Sequence, residues 1–397
     1  MKFINIYISH YSYLSYFMKP EKEIIVLGDV EMGGGTLTDD FISDNALSEL
    51  VIKLSHKPHP VDLVLNGDTF DFLKCPYVVN QTTTYPRHIT PEISVAKLEL
   101  MQAAHQKVFD ALHLFARKSK NNLYFLIGNH DYDLSYPQVQ NRLKEYLGHH
   151  HNIFFRFQYE QHRVYAEHGH QYDLLNKINY KFMFLTYEGK RILNLPWASF
   201  GLISRYMHVK EQYPFIERIF PRPALFSWNR SIGKMVTLHS IKYLLLSLFY
   251  YPLRYFFDPT YTFPKKLFWN FFRKIKTNRW ETDNIINIFR KDKKQILRKN
   301  KILIFGHNHR YSIKQKRKYV LIQLDCWRDE YLLNSKAGLL VPKEKDYAQI
   351  FITAAGPQWK VLQYPVKRSL FKLQSMAKDE IKYLRKAAHE EGFKLKV

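Results

Sequence analysis

EIIVLGDVE (Glu23–Glu31), VDLVLNGDTFD (Val61–Asp71) and NLYFLIGNHD (Asn122–Asp131) share one design. Each begins as a short run rich in Val, Ile, Leu and aromatic residues. Each then stops at Gly, followed by Asp, Asn, His or Glu. RVYAEHGH (Arg163–His170) and KILIFGHNH (Lys301–His309) repeat the design later in the chain. Such runs read as buried strands that end in polar loops. Between the second and third strands, Thr90-Pro91-Glu92 reads as a helix cap followed by Pro at the first helical position. Val95, Leu98, Met101 and Val108 continue that helix towards Arg117. Strands alternating with helices predict an α/β layered core. Tyr319–Leu324, Gln349–Ala354 and Trp359–Gln363 read as late, antiparallel strands, and 368–394 as a basic helical tail.

Charge separates a second region from this core. The 397 residues carry 60 Lys and Arg against 36 Asp and Glu, a net of +24, which points to a polyanionic partner. Residues 174–300 hold 24 of the basic and 7 of the acidic residues, a net of +17, and 27 of the 63 aromatic residues. Prolines punctuate this block and core-like strands resume after it, so it reads as an inserted helical cap. The expected organisation is an N-terminal extension (1–20), a core (21–173 and 301–367), the cap (174–300) and a basic C-terminal helix (368–397). Residues 1–18 make a poor secretory signal, and Met18 is an alternative start. The longest apolar run, Tyr243–Leu253, is too short to span a bilayer. Two cysteines, Cys75 and Cys326, exclude a disulfide scaffold and a cysteine-built zinc module, and are compatible with a reducing compartment.

The chemistry lies at the strand ends. Carboxylates, an Asn carbonyl and imidazoles form the mixed oxygen and nitrogen set that suits Mn²⁺, Fe or Zn²⁺. Glycine beside each would permit the tight turn that points the ligand inward. A single GHxH or GNHD is weak evidence, because a lone buried His is more often part of a core. Five blocks in one order, each at a strand end, are specific.

This order is similar to that of the calcineurin-like metallophosphoesterase superfamily, whose blocks are GDxH, GDxxD, GNHD, a lone His and GHxH. The layout is nearest to bacterial UDP-diacylglucosamine pyrophosphohydrolases, although those usually carry Arg where this chain has His130. The resemblance covers roughly 23–173 and 301–330. It implies a four-layer α/β/β/α sandwich holding two divalent ions. One would be held by Asp29, Glu31, Asp68 and His309, and the other by Asp68, Asn129, His168 and His307. It makes His130 the catalytic His, oriented by Asp131, with Asp71 behind the ligands and His170 and Arg328 as substrate or supporting contacts. His170 would touch substrate or brace Asp173, and Arg328 would meet phosphate or pair at the surface with Asp329 or Glu330. The first block departs from the pattern: it reads GDVE, so Glu31 stands where the family has His. A third carboxylate predicts a harder, more anionic site, with Mn²⁺ ahead of Fe, Mg²⁺ and Zn²⁺. Gly33, Gly34 and Gly35 then read as a flexible loop at the rim.

The expected activity is phosphoester hydrolysis on a lipid-linked or nucleotide-linked phosphate. The alternatives are a nuclease or cyclic-nucleotide phosphodiesterase, a protein phosphatase, and a non-catalytic metal-binding module. Tyr243–Phe257, with Lys265, Lys266, Arg273, Lys274 and Lys276, would suit a membrane-surface helix pair. Phe268, Trp269, Phe271, Phe272 and Trp280 could instead stack bases. The expected partners are a phosphorylated, lipid-like substrate and an anionic membrane, ahead of nucleic acid. The expected location is cytoplasmic, or peripheral at the inner face of the membrane.

Overall fold

The computed structural model describes residues 7–8, 20–221, 226, 229–262, 269, 285–366 and 368–396. Met18, Lys265, Lys266, Phe268, Phe271, Phe272, Arg273, Lys274, Lys276 and Trp280 lie outside them. Two sheets face each other. The first has seven strands in the order Tyr7–Ile8, Gly356–Tyr364, Lys345–Thr353, Lys22–Leu27, Val61–Asn66, Asn122–Leu126 and Ile153–Arg156. Its last four strands are parallel. The second has five, in the order Ser312–Gln315, Val320–Gln323, Ile302–Phe305, Val164–Glu167 and Gln158–Gln161. Its three central strands are parallel. The run at 319–324, expected to pair antiparallel, does so only with Ser312–Gln315; its other edge is parallel to Ile302–Phe305.

Alternation along the strands makes the layers. In the first sheet Ile24, Val26, Val64, Tyr124 and Leu126 point inward, against Val164, Ala166, Ile302, Ile304 and Ile322 of the second. Ile25, Leu27, Leu63, Leu65 and Phe125 point outward, under helices Asp44–Ser55, Pro91–Ala104, Gln106–Ala116 and Pro137–Tyr146. Both faces are buried, so these strands read as continuous apolar runs. The outer face of the second sheet (Tyr165, Leu303, Phe305, Leu321) is covered by Ile285, Ile286, Phe289 and Leu297. The result is the expected four-layer α/β/β/α sandwich.

Three local expectations change. The helix from Pro91 breaks at His105, whose imidazole is drawn into the core by Asp39 and Asp44. The block 174–300 does not stay together: helices Ile285–Asp292 and Lys294–Lys299 are the fourth layer of the sandwich. Ile219–Phe220 joins a small sheet with Tyr331–Asn334, Leu339–Pro342 and Phe371–Lys372. Beneath it Leu384, Ala387 and Ala388 of the C-terminal helix Glu380–Glu390 are buried with Phe215 and Tyr331. The tail therefore packs its apolar side into a core. Arg230–Phe249 is a helix of 20 residues, continuing through Lys242 where the apolar run was cut in the sequence. By length and composition alone it is long and apolar enough to cross a membrane.

Candidate active site

Parallel strands in both sheets deliver their C-terminal ends to one edge of the sandwich, where α/β folds collect ligands. Asp29 and Glu31 follow Lys22–Leu27, Asp68 follows Val61–Asn66, and Asn129 and His130 follow Asn122–Leu126. From the second sheet, His168 follows Val164–Glu167, and His307 and His309 follow Ile302–Phe305. Glu31, Asp68, His307 and His309 have φ of +57°, +50°, +72° and +49°. Non-glycine residues there cost on the order of 1–3 kcal/mol each, and they gather where function holds them. The glycines beside them act mainly by close approach. A Cβ on Gly128 would collide with Asp68 Oδ1, and one on Gly306 would lie 2.5 Å from Asp29 Oδ2.

The side chains form two neighbouring groups. Donor atoms of Asp68, His168 and His307 lie within 4.8 Å of one another, as do those of Asp29, Glu31 and His309. His168 shows why a cation fits. Its Nδ1 donates to the Asn66 carbonyl (3.1 Å), which leaves the Nε2 lone pair facing Asp68 Oδ2 (3.0 Å) and Asn129 Oδ1 (3.2 Å). Three acceptor atoms converge there and call for a proton or a metal ion. Burial opposes a charged His168, yet Asp68 and Asp29 push its pKa up to about 10. The histidines are braced from behind, as metal ligands are. Asp173 takes His307 Nε2 (3.0 Å), and Glu330 lies 3.4 Å from His309 Nδ1. His309 Nε2 stands 3.3 Å from both Asp29 and Glu31. The residues present therefore fit divalent cations.

His130 lies beside these groups, with Nδ1 donating to Asp71 Oδ1 (2.9 Å). Burial disfavours its charged form, but Asp71, Glu31 and Asp68 push its pKa up to about 9. Asp131, expected to orient it, is turned under the loop instead. There it accepts from the backbone N–H groups of Gly128 (2.6 Å) and Thr69 (2.8 Å). Burial and the neighbouring Asp68 raise its pKa to about 7. His170 is buried behind the ligands, its ring 5.4 Å from that of His168. Asp173, which it was expected to brace, is taken by His307. Burial, then the neighbouring His168 and His307, depress the pKa of His170 well below the usual histidine range.

Arg328 makes no surface pair: it is 3% exposed. Its guanidinium reaches Asp40 (2.9 Å), Glu31 (3.4 Å) and Glu217 (3.4 Å). With it lie two cations absent from the sequence reading. Lys74 Nζ is 2.7 Å from each of Glu31, Asp40 and Asp71, and Lys210 Nζ is 2.6 Å from Asp40 and Glu217. The available signal was Lys74 standing in the apolar run FDFLKCP (70–76), close after two expected site carboxylates. The loop at Gly33–Gly35 is buried rather than free, because Asp39 accepts from the N–H groups of Gly33 (3.0 Å) and Gly35 (2.7 Å).

A cavity of about 600 Å³ opens onto Glu31, Asp68, Asn129, His130, His307 and Arg328. A second, of about 1110 Å³, lies on the other side of the short helix Trp197–Gly201, lined mainly by the insertion. Ala198 and Leu202 line both.

The family model for calcineurin-like phosphoesterases matches residues 22–216. No curated protein matches the chain. Among solved structures, one from Staphylococcus aureus, proposed as a 5'-nucleotidase and complexed with α-ketoglutarate, aligns at 11% identity with a TM-score of 0.30. The alignment covers 93% of this chain but 58% of that one. The strand-end donors and the family match agree: residues 22–216 match the calcineurin-like phosphoesterases, a family of metal-dependent hydrolases of phosphoester bonds.

Proposed function

We propose that the chain is a dinuclear hydrolase acting on the phosphate of an amphiphilic, lipid-linked substrate. Asp29, Glu31, Asp68 and His309 would hold one ion, and Asp68, Asn129, His168 and His307 the other, with Mn²⁺ the ion to test. When bound, such a pair supplies Lewis acidity and lowers the pKa of a coordinated water. The protein's own contributions follow from the geometry. His130, with Nδ1–H given to Asp71, has Nε2 left for the substrate, where a protonated ring stabilises negative charge and donates a proton to the departing oxygen. Asp71 orients that ring and favours its charged form.

The observation that carries the substrate reading is the shared wall. A phosphate in the 600 Å³ cavity would sit one helix away from the larger chamber, whose lining includes Phe200, Tyr206, Val236, Tyr243, Leu246 and Tyr251. An apolar chain there would gain roughly 0.8 kcal/mol per buried methylene.

The experiment compares methyl and dodecyl p-nitrophenyl phosphate, which share one reacting centre. The expected result is a kcat/KM about 10²-fold higher for the dodecyl ester, and loss of that preference in Leu246→Asp. Equal rates on the two esters would sink the amphiphile reading and leave the hydrolase standing. An anionic bilayer is the partner that suits this substrate. The helix Arg230–Phe249 turns Tyr243 and Ser247 onto Trp197 and leaves Leu238, Ile241, Leu245 and Phe249 exposed along one face. No acidic residue occurs between Arg230 and Phe257.

A further inference from the structure

Lys74 is the least expected group at the site. Its ammonium is 2% exposed and has three N–H donors. It hydrogen-bonds Glu31 Oε2 and Asp40 Oδ2, each at 2.7 Å, and forms an ion pair with Asp71 Oδ2 at the same distance. Glu217 Oε2 lies further off at 3.4 Å. One oxygen of Glu31 is thus committed to Lys74. The other, Oε1, is 3.3 Å from His309 Nε2, which is itself 3.3 Å from Asp29 Oδ1. Arg328 also approaches Oε1, at 3.4 Å, but its shorter contact is with Asp40 at 2.9 Å.

We propose that Lys74 is a positioning residue that holds one oxygen of Glu31 and so turns the pair into a one-atom, charge-compensated ligand. It would stand where the family's first block carries His. An imidazole offers a metal one lone pair and no charge. A carboxylate alone offers two oxygens and a negative charge. Glu31 with Lys74 on Oε2 offers one oxygen, touched besides His309 only by the longer Arg328 contact. Its charge is offset within the network: Lys74, Lys210 and Arg328 balance Glu31, Asp40 and Glu217, while Asp71 also pairs with His130. The Glu for His exchange then leaves the donor number and the charge facing the ion as the usual set has them. The harder, more anionic site expected from counting carboxylates does not follow. The inference rests on the dinuclear reading above.

The pair makes a counterintuitive prediction: restoring the family's residue alone damages the site. In Glu31→His, Lys74 keeps Asp40 and Asp71, so its burial remains supported. One of its two hydrogen-bonded N–H groups, however, loses its acceptor, and its charge faces the ion unscreened. The test is Mn²⁺ binding to the full chain by equilibrium dialysis, with near-UV circular dichroism reporting the fold. The wild type is expected to take two equivalents. Glu31→His should keep one and hold the other about tenfold or more weakly. Lys74→Met should weaken the same equivalent, and Glu31→His/Lys74→Met should recover it to within about threefold of the wild type.

Two tight equivalents in Glu31→His, or in Lys74→Met, would overturn the pair while leaving the dinuclear reading in place. So would a double variant no tighter than Glu31→His. A wild type that takes up no Mn²⁺ would remove the dinuclear reading and the pair with it.

Discussion

The strand-end cluster and the helix Arg230–Phe249 are opposites in how they treat their side chains. In the cluster, polar and charged groups are buried and spoken for: Lys74 by three carboxylates, His168 by Asn66, His307 by Asp173. In the helix, large apolar groups are left in the open, Phe249 at 72% exposed and Phe256 and Phe257 just beyond it at 83% and 76%. Each is costly for a free, isolated protein. Buried charge costs desolvation and exposed rings cost hydration. The difference teaches that the two regions call for different companions: the cluster fits divalent cations, and the apolar phase proposed for the helix is a separate reading that needs its own test.

The sharpest way to break this comparison is Asp68→Ala. Asp68 faces both donor groups, and its Oδ1 also accepts the His130 N–H at 2.8 Å. Turnover of an aryl phosphodiester with Mn²⁺ should fall on the order of 10³-fold or more. A loss below tenfold would mean that the cluster is a structural charge network. His130→Ala comes next, with a loss of about 10²–10³-fold in kcat. Its two acidic neighbours then separate. Asp71→Asn should cost about 10–100-fold in kcat, because it releases the imidazole. Asp131→Asn should act mainly on the melting temperature, because that carboxylate holds the Gly128 and Thr69 amides. Equal kcat losses in the two would show that the loop and the ring are not separable.

What was legible follows the same division. The four layers and the strand-end polar blocks could be read because strands buried on both faces give uninterrupted apolar runs, and because most of the blocks open on a Gly that lets neighbouring side chains approach closely. The orientation of His130 could not. GNHD places Asp131 beside it in sequence, but the loop turns that carboxylate back to the amides and brings Asp71 across from another strand. Lys74 and Lys210 were missed for a related reason: a lysine reads as solvated until the fold brings in a shared acceptor, Asp40, from far away in the chain. The extent of the insertion was misjudged because 285–299 shares its basic composition while packing as a core layer.

The helix can be tested without touching the cluster. Leu245→Asp with Phe249→Asp places two charges on its exposed face, and both residues lie outside the ligand groups. Turnover of a soluble aryl phosphodiester should stay within about twofold of the wild type. Co-sedimentation with vesicles containing phosphatidylglycerol should drop about tenfold or more, since two apolar anchors are lost and anions added. Unchanged sedimentation would remove the bilayer as the partner. Binding that persists on purely zwitterionic vesicles would remove the role given to the basic residues.

The smallest effect belongs to a buried charge outside the ligand groups. His105 is fully buried, with Nδ1 2.7 Å from Asp44 and Nε2 3.0 Å from Asp39. Its ring lies flat on Phe393 at 4.9 Å. Burial disfavours the imidazolium, but Asp39 and Asp44 outweigh it and raise the pKa to about 10. In the unfolded chain it is about 6.5. The folded state therefore binds the proton more tightly. The stabilisation is fully present below about pH 6.5 and is lost as pH rises towards 10, with a steepest slope of about 1.4 kcal/mol per pH unit. Urea midpoints should fall across that interval in the wild type, and the fall should be smaller in His105→Gln. Because Asp39 also ties the amides of Gly33 and Gly35, the loop beside Glu31 should loosen over the same interval. Amide exchange at Gly33 and Gly35 that keeps its protection up to pH 10 would disconnect His105 from the loop.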